Sequence, residues 1–238
     1  MLVDFVSYSG ELDMLKARLK HMGADLTIVY EADRSYTGIP KQLSDLSEVT
    51  NDRVIHFPIE GTTFDDAWEN EYAQRRAAFE FLKSLDVSDD AFVALCDVDE
   101  FLDLDLLSEN PALSVWFMDK FQMSARWFQQ QEFASVSGLM GDLRNRDIVE
   151  IFFQYRRSLP QIRGGWHLSS FLTVEELQAK WRNFSHQEFV RPNMDEWVGH
   201  CWVNGLAVEN GNPMTEMDLS GVPAAVLDGP EFWFRGRP

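Results

Sequence analysis

The residues best suited to chemistry are Asp97-Val98-Asp99-Glu100, carboxylates crowded into one short stretch. They follow directly on an apolar run at residues 91–96, which reads as a strand buried on both faces, as in a parallel sheet covered by helices. Carboxylates at such a place need partners or a metal, because a buried uncompensated charge is costly. Ligands of open α/β sheets bind at the carboxyl ends of the strands. Residues i and i+2 on an extended segment face the same side, so Asp97 and Asp99 can both meet a hard divalent cation, Mg2+ or Mn2+, that holds a diphosphate. Asp97 also suits a ribose contact. A plainer reading stands beside this one: Asp-x-Asp is short and common in an acidic chain, and an acid after a strand can simply cap the next helix.

Other residues could complete such a site. Glu31 follows a short apolar strand and suits a hydrogen bond to a ribose or base, or a solvated strand end. Glu71, Gln74 and Arg75 recur at i, i+3 and i+4 and share one helical face. A salt-bridged surface is the plainer role for these three, yet their helix leads straight into the Asp97 strand and its polar face can border a nucleotide. His167 follows Gly164-Gly165, where backbone can approach a ligand closely. His186 stands two residues before Glu188. Either imidazole could join Asp99 at a metal, and imidazole favours Mn2+ over Mg2+. His21, His56 and His200 have no such company and read as structural.

The elements that must position these residues alternate in type. Strands are expected at residues 2–8, 26–30 and 54–57, and helices at 11–21, closed by Gly23, and at 65–85, capped by Asp65 or Thr63. Together with the Asp97 strand they predict βαβ units and a mostly parallel central sheet flanked by helices, a Rossmann-like α/β fold in one domain. Beyond Glu100 the pattern loosens: a helix can start at 103–107, a turn lies at 138–142, and strands are expected at 148–155 and 163–171. Thr173 then caps a helix reaching about residue 184, with Glu175 and Glu176 in its first turn. The expected division is a nucleotide-sugar-binding half at 1–102, an acceptor and catalytic half at 103–204, and an extension at 205–238.

Composition narrows the function classes. The 238 residues carry a formal charge of −18, which repels nucleic acid and anionic membrane surfaces. Cys96 and Cys201 are far apart, and neither a disulfide framework nor zinc spacing is present. No apolar run approaches the roughly 18 residues of a membrane span, and no signal peptide is evident, so a soluble cytoplasmic protein is expected.

Several stretches occur in order: Glu11-Leu12-Asp13-Met14-Leu15-Lys16-Ala17-Arg18-Leu19, Tyr36-Thr37-Gly38-Ile39-Pro40-Lys41, Trp68-Glu69-Asn70-Glu71-Tyr72-Ala73-Gln74-Arg75, Asp97-Val98-Asp99-Glu100, Gly164-Gly165-Trp166-His167-Leu168-Ser169 and Phe184-Ser185-His186-Gln187-Glu188-Phe189. Together they resemble glycosyltransferase family 17, the β-1,4-mannosyl-glycoprotein N-acetylglucosaminyltransferases. The likeness runs from about residue 4 to residue 190. It implies a GT-A-like fold, a UDP-sugar donor (UDP-GlcNAc in that family), a glycan acceptor and an inverting transfer. Ser9-Gly10 departs from the family, where an Asn-rich pair is expected, and residues 127–157 match poorly.

An inverting transfer also needs a carboxylate to take the acceptor proton. If Asp97 and Asp99 hold the metal, with His167 as third ligand and His186 its alternate, the base falls to Glu188 first and Glu132 second. Two rivals remain. An Asp-x-Asp phosphohydrolase or phosphotransferase would use Asp97 as nucleophile, although Glu100-Phe101 lack the Ser or Thr expected there. A carbohydrate-binding protein without catalysis would use the aromatics alone.

Overall fold

The computed structural model describes residues 1–109 and 112–236. Its first half is built from β1 (Leu2–Ser7), α1 (Leu12–Met22), β2 (Leu26–Ala32), β3 (Val54–Ile59), α2 (Ala67–Ser84), β4 (Phe92–Asp97), β5 (Glu100–Phe101) and α3 (Leu104–Glu109). The helices begin and end where local chemistry dictates. Gly23 adopts φ 51° and closes α1 with its N–H on Leu19 O. Asp66, rather than Asp65 or Thr63, caps α2 by accepting from Trp68 N at 2.9 Å.

The second half adds β6 (Ser114–Gln122), β7 (Trp127–Leu139), α4 (Met140–Leu143), β8 (Gln161–Ser169), α5 (Val174–Asn183), α6 (Met194–Asn204), β9 (Thr215–Glu216) and α7 (Ala224–Leu227). Thr173 caps α5 in a reciprocal capping box with Glu176. The extension expected at 205–238 holds β9 and α7; its Arg237 and Pro238 lie outside the described residues.

Among the described residues a nine-stranded sheet runs β3-β2-β1-β4-β7-β6-β8-β5, with β9 on β7. The expectation of a mostly parallel sheet holds only for its first part. β3, β2, β1 and β4 are parallel, but β7 is antiparallel to both β4 and β6, and β5 is antiparallel to β8. The sheet is mixed because β6 and β7 join through a tight connection at residues 123–126. Only a long crossover, usually helical, can return a strand parallel to its neighbour.

Two further expectations are corrected. Residues 150–155 form a π-helical turn, not a strand. The run Ile148-Val149-Glu150-Ile151-Phe152-Phe153 is too short for its apolarity to separate strand from helix. Asp147 accepts from Val149 N at 2.7 Å and starts the turn, which buries Ile148, Val149, Ile151 and Phe152 against the sheet. Gly138 continues β7, and Met140–Leu143 is helical instead of a plain turn.

Helices cover both sheet faces. Val3 and Phe5 of β1 join Phe79 and Leu82 of α2 in one core, while Val6 joins Leu15 of α1 in another. Asp4 lies between them in sequence and is fully buried, as is Arg18 of α1, which grips it through Nε at 2.9 Å and Nη2 at 2.5 Å. Arg18 also donates to the carbonyl oxygens of Glu100 and, at 3.4 Å, Asp97. A buried ion pair thus supports the Asp97–Glu100 turn from beneath. Both cysteines are free and buried.

Candidate active site

The strands β1, β2, β4, β6 and β8 all point their carboxyl ends at one edge of the sheet, and a cavity of about 880 Å³ opens there. Asp97, Asp99 and Glu100 stand in its wall at the end of β4. Glu71, Gln74 and Arg75 line the same cavity from α2, while Lys120, Glu132 and His167 line it from β6, β7 and β8.

Register builds the second wall. His167 pairs with Glu100 on one side and with Lys120 on the other, and Lys120 pairs with Gln130. Gly165, at φ 85°, lets β8 fit against β5: a Cβ there would lie 2.6 Å from the Phe101 carbonyl oxygen. The close approach expected of the two glycines is therefore to the chain's own backbone, and it brings His167 to Asp99.

The geometry of that meeting is specific. His167 Nε2 lies 3.5 Å from Asp99 Oδ1, and its Nδ1 is hydrogen-bonded to Glu132. Lys180 Nζ, from α5, lies 3.7 Å from Asp99 Oδ2 and 3.6 Å from Glu11. Burial alone would raise the Asp99 carboxyl, but His167 and Lys180 outweigh it and hold it below the usual range. Burial likewise opposes the imidazolium of His167, yet Asp99 and Glu132 raise it to about 10. Glu132 is held down to about 2, with His167 and Lys120 overcoming its burial. Glu100 goes the other way: burial, then the Asp97 charge, push it up to about 7. It accepts from Ser135 Oγ at 2.7 Å and from Asp97 N at 3.0 Å.

The remaining candidates divide. Arg75 reaches both Asp97 oxygens, at 3.0 and 3.3 Å, holds Glu71 at 2.8 Å and lies over the Phe152 and Phe153 rings. It positions Asp97 from a buried place. Gln74 lines the cavity with its amide on Arg34 O. Glu31 does not reach the cavity: β2 continues through it to Ala32, and the buried carboxylate holds Lys41, Ser44 and His56. Glu188 also stands outside the wall, half exposed, and accepts from His186 Nδ1 at 2.5 Å. His186 lines the cavity, but its contacts are with Glu188 and the rings of Trp68, Phe184 and Phe189, not with Asp99.

A divalent cation can be tested against these donors. Among the described residues no group of three or more His, Cys, Asp or Glu side chains is arranged to hold a metal ion. Asp99 and His167 alone fit: a carboxylate oxygen faces an imidazole Nε2 whose other nitrogen is fixed by Glu132, the arrangement by which a metal-binding histidine is oriented.

Sequence reasoning passed over several cavity residues. Glu11 Oε2, Gln129 Oε1, Trp181 Nε1 and Ser185 Oγ are buried without a hydrogen-bond partner, and all four residues line this cavity. An unpaired buried polar atom costs about 1–3 kcal/mol, so these four hold hydrogen-bonding capacity that water or a ligand in the cavity can satisfy. Lys120, Lys180, Arg34 and Arg156 also line it, set among carboxylates: Lys120 pairs with Glu132 and Glu209, and Lys180 with Glu11 and Asp99. No local spacing signals these residues; only their shared wall does.

Residues 1–110 match the family model described as Glycosyltransferase family 17. Over that stretch the chain is similar to glycosyltransferase family 17. The match makes the protein a glycosyltransferase, an enzyme that takes a sugar donor and an acceptor. It spans β1 through α3, and so includes Arg75, Asp97 and Asp99; Glu132, His167 and His186 of this glycosyltransferase lie beyond it. No curated protein matches the chain. Among the described residues no helix of the glycosyltransferase is long and apolar enough to cross a membrane.

Proposed function

We propose that the protein is an inverting, divalent-cation-dependent glycosyltransferase of GT-A-like organisation that moves a sugar, GlcNAc on the family likeness, from a UDP-sugar to a glycan hydroxyl. The observation that carries this is the Asp97-Val98-Asp99 stretch at the end of a central parallel strand, in the wall of a large cavity that sets basic side chains among its carboxylates. The parallel β3-β2-β1-β4 half supports placing the nucleoside on the β1–β2 side, leaving the β7-β6-β8 side for the sugar and acceptor.

Arg75 fixes the Asp97 carboxylate, and Arg18 fixes the backbone beneath it. Lys180 supplies fixed positive charge beside Asp99. Asp99 and His167 would hold the cation, which when bound neutralises charge on the leaving diphosphate. A phosphohydrolase reading has less support, since the Asp97 that would serve as nucleophile has both oxygens on Arg75.

The deciding experiment is calorimetric titration of UDP with and without Mn2+, on the wild type and on Asp99→Asn. UDP should bind at least about tenfold more tightly with Mn2+, and the variant should lose that gain while keeping its fold. Equal affinity in all four titrations would remove the cation from the reading. A screen of UDP-sugars for release of free UDP then names the donor.

A further inference from the structure

Glu209 lies in the loop after α6, in a stretch with no catalytic pattern, yet its carboxylate forms part of the cavity wall. It is held from three directions. Gln122, fully buried at the carboxyl end of β6, donates Nε2 to its two oxygens at 3.0 and 3.1 Å, and accepts from Val208 N at 3.1 Å. Gln129 of β7 donates at 3.3 Å, and Lys120 Nζ stands 3.5 Å away. A fully buried glutamine that clamps both a carboxylate and the backbone beside it is a positioning device, because each of its buried polar groups must be satisfied.

The other carboxylates of this wall, Glu11 aside, have assignments already. Glu71 is bound to Arg75, Glu100 to Ser135 and the Asp97 N–H, Glu132 to His167 and Lys120, and Glu176 to Thr173. Glu11 leaves Oε2 unpaired, but it follows β1, and Lys180 stands between it and Asp99, away from the β6–β7 side. Glu209 has two neutral amides as its nearest partners and touches neither Asp99 nor His167. It lies on the β6–β7 side of Asp97 and Asp99, away from β1 and β2. Gln129 Oε1, buried and without a partner on the adjacent cavity residue, suits a neighbouring hydroxyl of the same sugar.

We infer that Glu209 is the general base of the transfer, a step that rests on the UDP-sugar reading above. Its carboxylate takes the proton of the acceptor hydroxyl as that oxygen bonds to the anomeric carbon. The bond from that carbon to the diphosphate breaks, and its electron pair leaves with UDP. Removal of a general base typically lowers the rate about 10²–10⁴-fold.

Water as acceptor makes the test independent of the unknown glycan. UDP release from the UDP-sugar that the wild type hydrolyses fastest is compared in wild type, Glu209→Gln and Glu209→Asp, beside UDP affinity with Mn2+. Glu209→Gln should lose about 10²–10⁴-fold in rate with UDP affinity within about twofold, and Glu209→Asp should keep part of the rate. Azide needs no deprotonation, so it should restore turnover of Glu209→Gln and yield the glycosyl azide of inverted configuration. Hydrolysis by Glu209→Gln within about threefold of wild type, or a loss that azide does not rescue, overturns the assignment. A wild type that binds no UDP, or releases none from any UDP-sugar, overturns the parent reading instead.

Discussion

At the scale of single residues, the site turns on how His167 is held. Its Nδ1 is committed to Glu132, which leaves Nε2 toward Asp99, and Lys120 balances the far oxygen of Glu132. Glu132 is therefore a positioning residue. Glu132→Gln should weaken Mn2+ binding about 10–100-fold by freeing the imidazole, with metal-free UDP affinity unchanged, as read by metal titration. A variant with wild-type Mn2+ affinity would detach Glu132 from the metal site. Glu188, placed first as base on its position beside His186, does bond that imidazole, but at the surface: spacing in sequence reports a local pair and not the cavity it faces. Glu209 stands 87 positions from its clamp, Gln122, and no such pairing can be read from a local pattern.

At the scale of elements, α1 does more than cover the sheet. Its Arg18 neutralises Asp4 inside the core and donates to the carbonyls that bracket the Asp97–Glu100 turn. Arg18→Met should lower stability by about 3–5 kcal/mol, since Asp4 would remain charged in a fully buried place. The double change Arg18→Met, Asp4→Leu should recover most of that loss in urea unfolding while leaving UDP binding weak, because the turn still lacks its donor. Full recovery of both would make the pair purely structural. The alternation of β1, α1, β2, β3, α2 and β4 was legible because hydrophobic period and caps are local signals. The β6–β7 connection was not, for Met123-Ser124-Ala125-Arg126 contains neither Gly nor Pro. Met123 takes φ 65°, and Ser124 Oγ bonds the tail carbonyls of Trp233 and Arg235.

At the scale of the whole molecule, the tail completes the core. Trp233, about 1 % exposed, donates its indole N–H to Phe171 O at 3.2 Å, and its carbonyl accepts from Ala125 N at 2.7 Å. Trp233→Ala should cost about 3–5 kcal/mol of stability in urea unfolding, and a loss under about 1 kcal/mol would show that the tail merely lies on the surface. Sequence by itself determined the α/β class, the caps of α1 and α5, and the placing of Asp97 and Asp99 at a strand end, because propensity, capping and hydrophobic period act between near neighbours. It could not determine that the sheet turns antiparallel after β4, nor that His167, Lys120 and Glu132 meet. Those contacts depend on the strand order β7-β6-β8 and on a register in which a slip of one residue would turn every side chain to the opposite face.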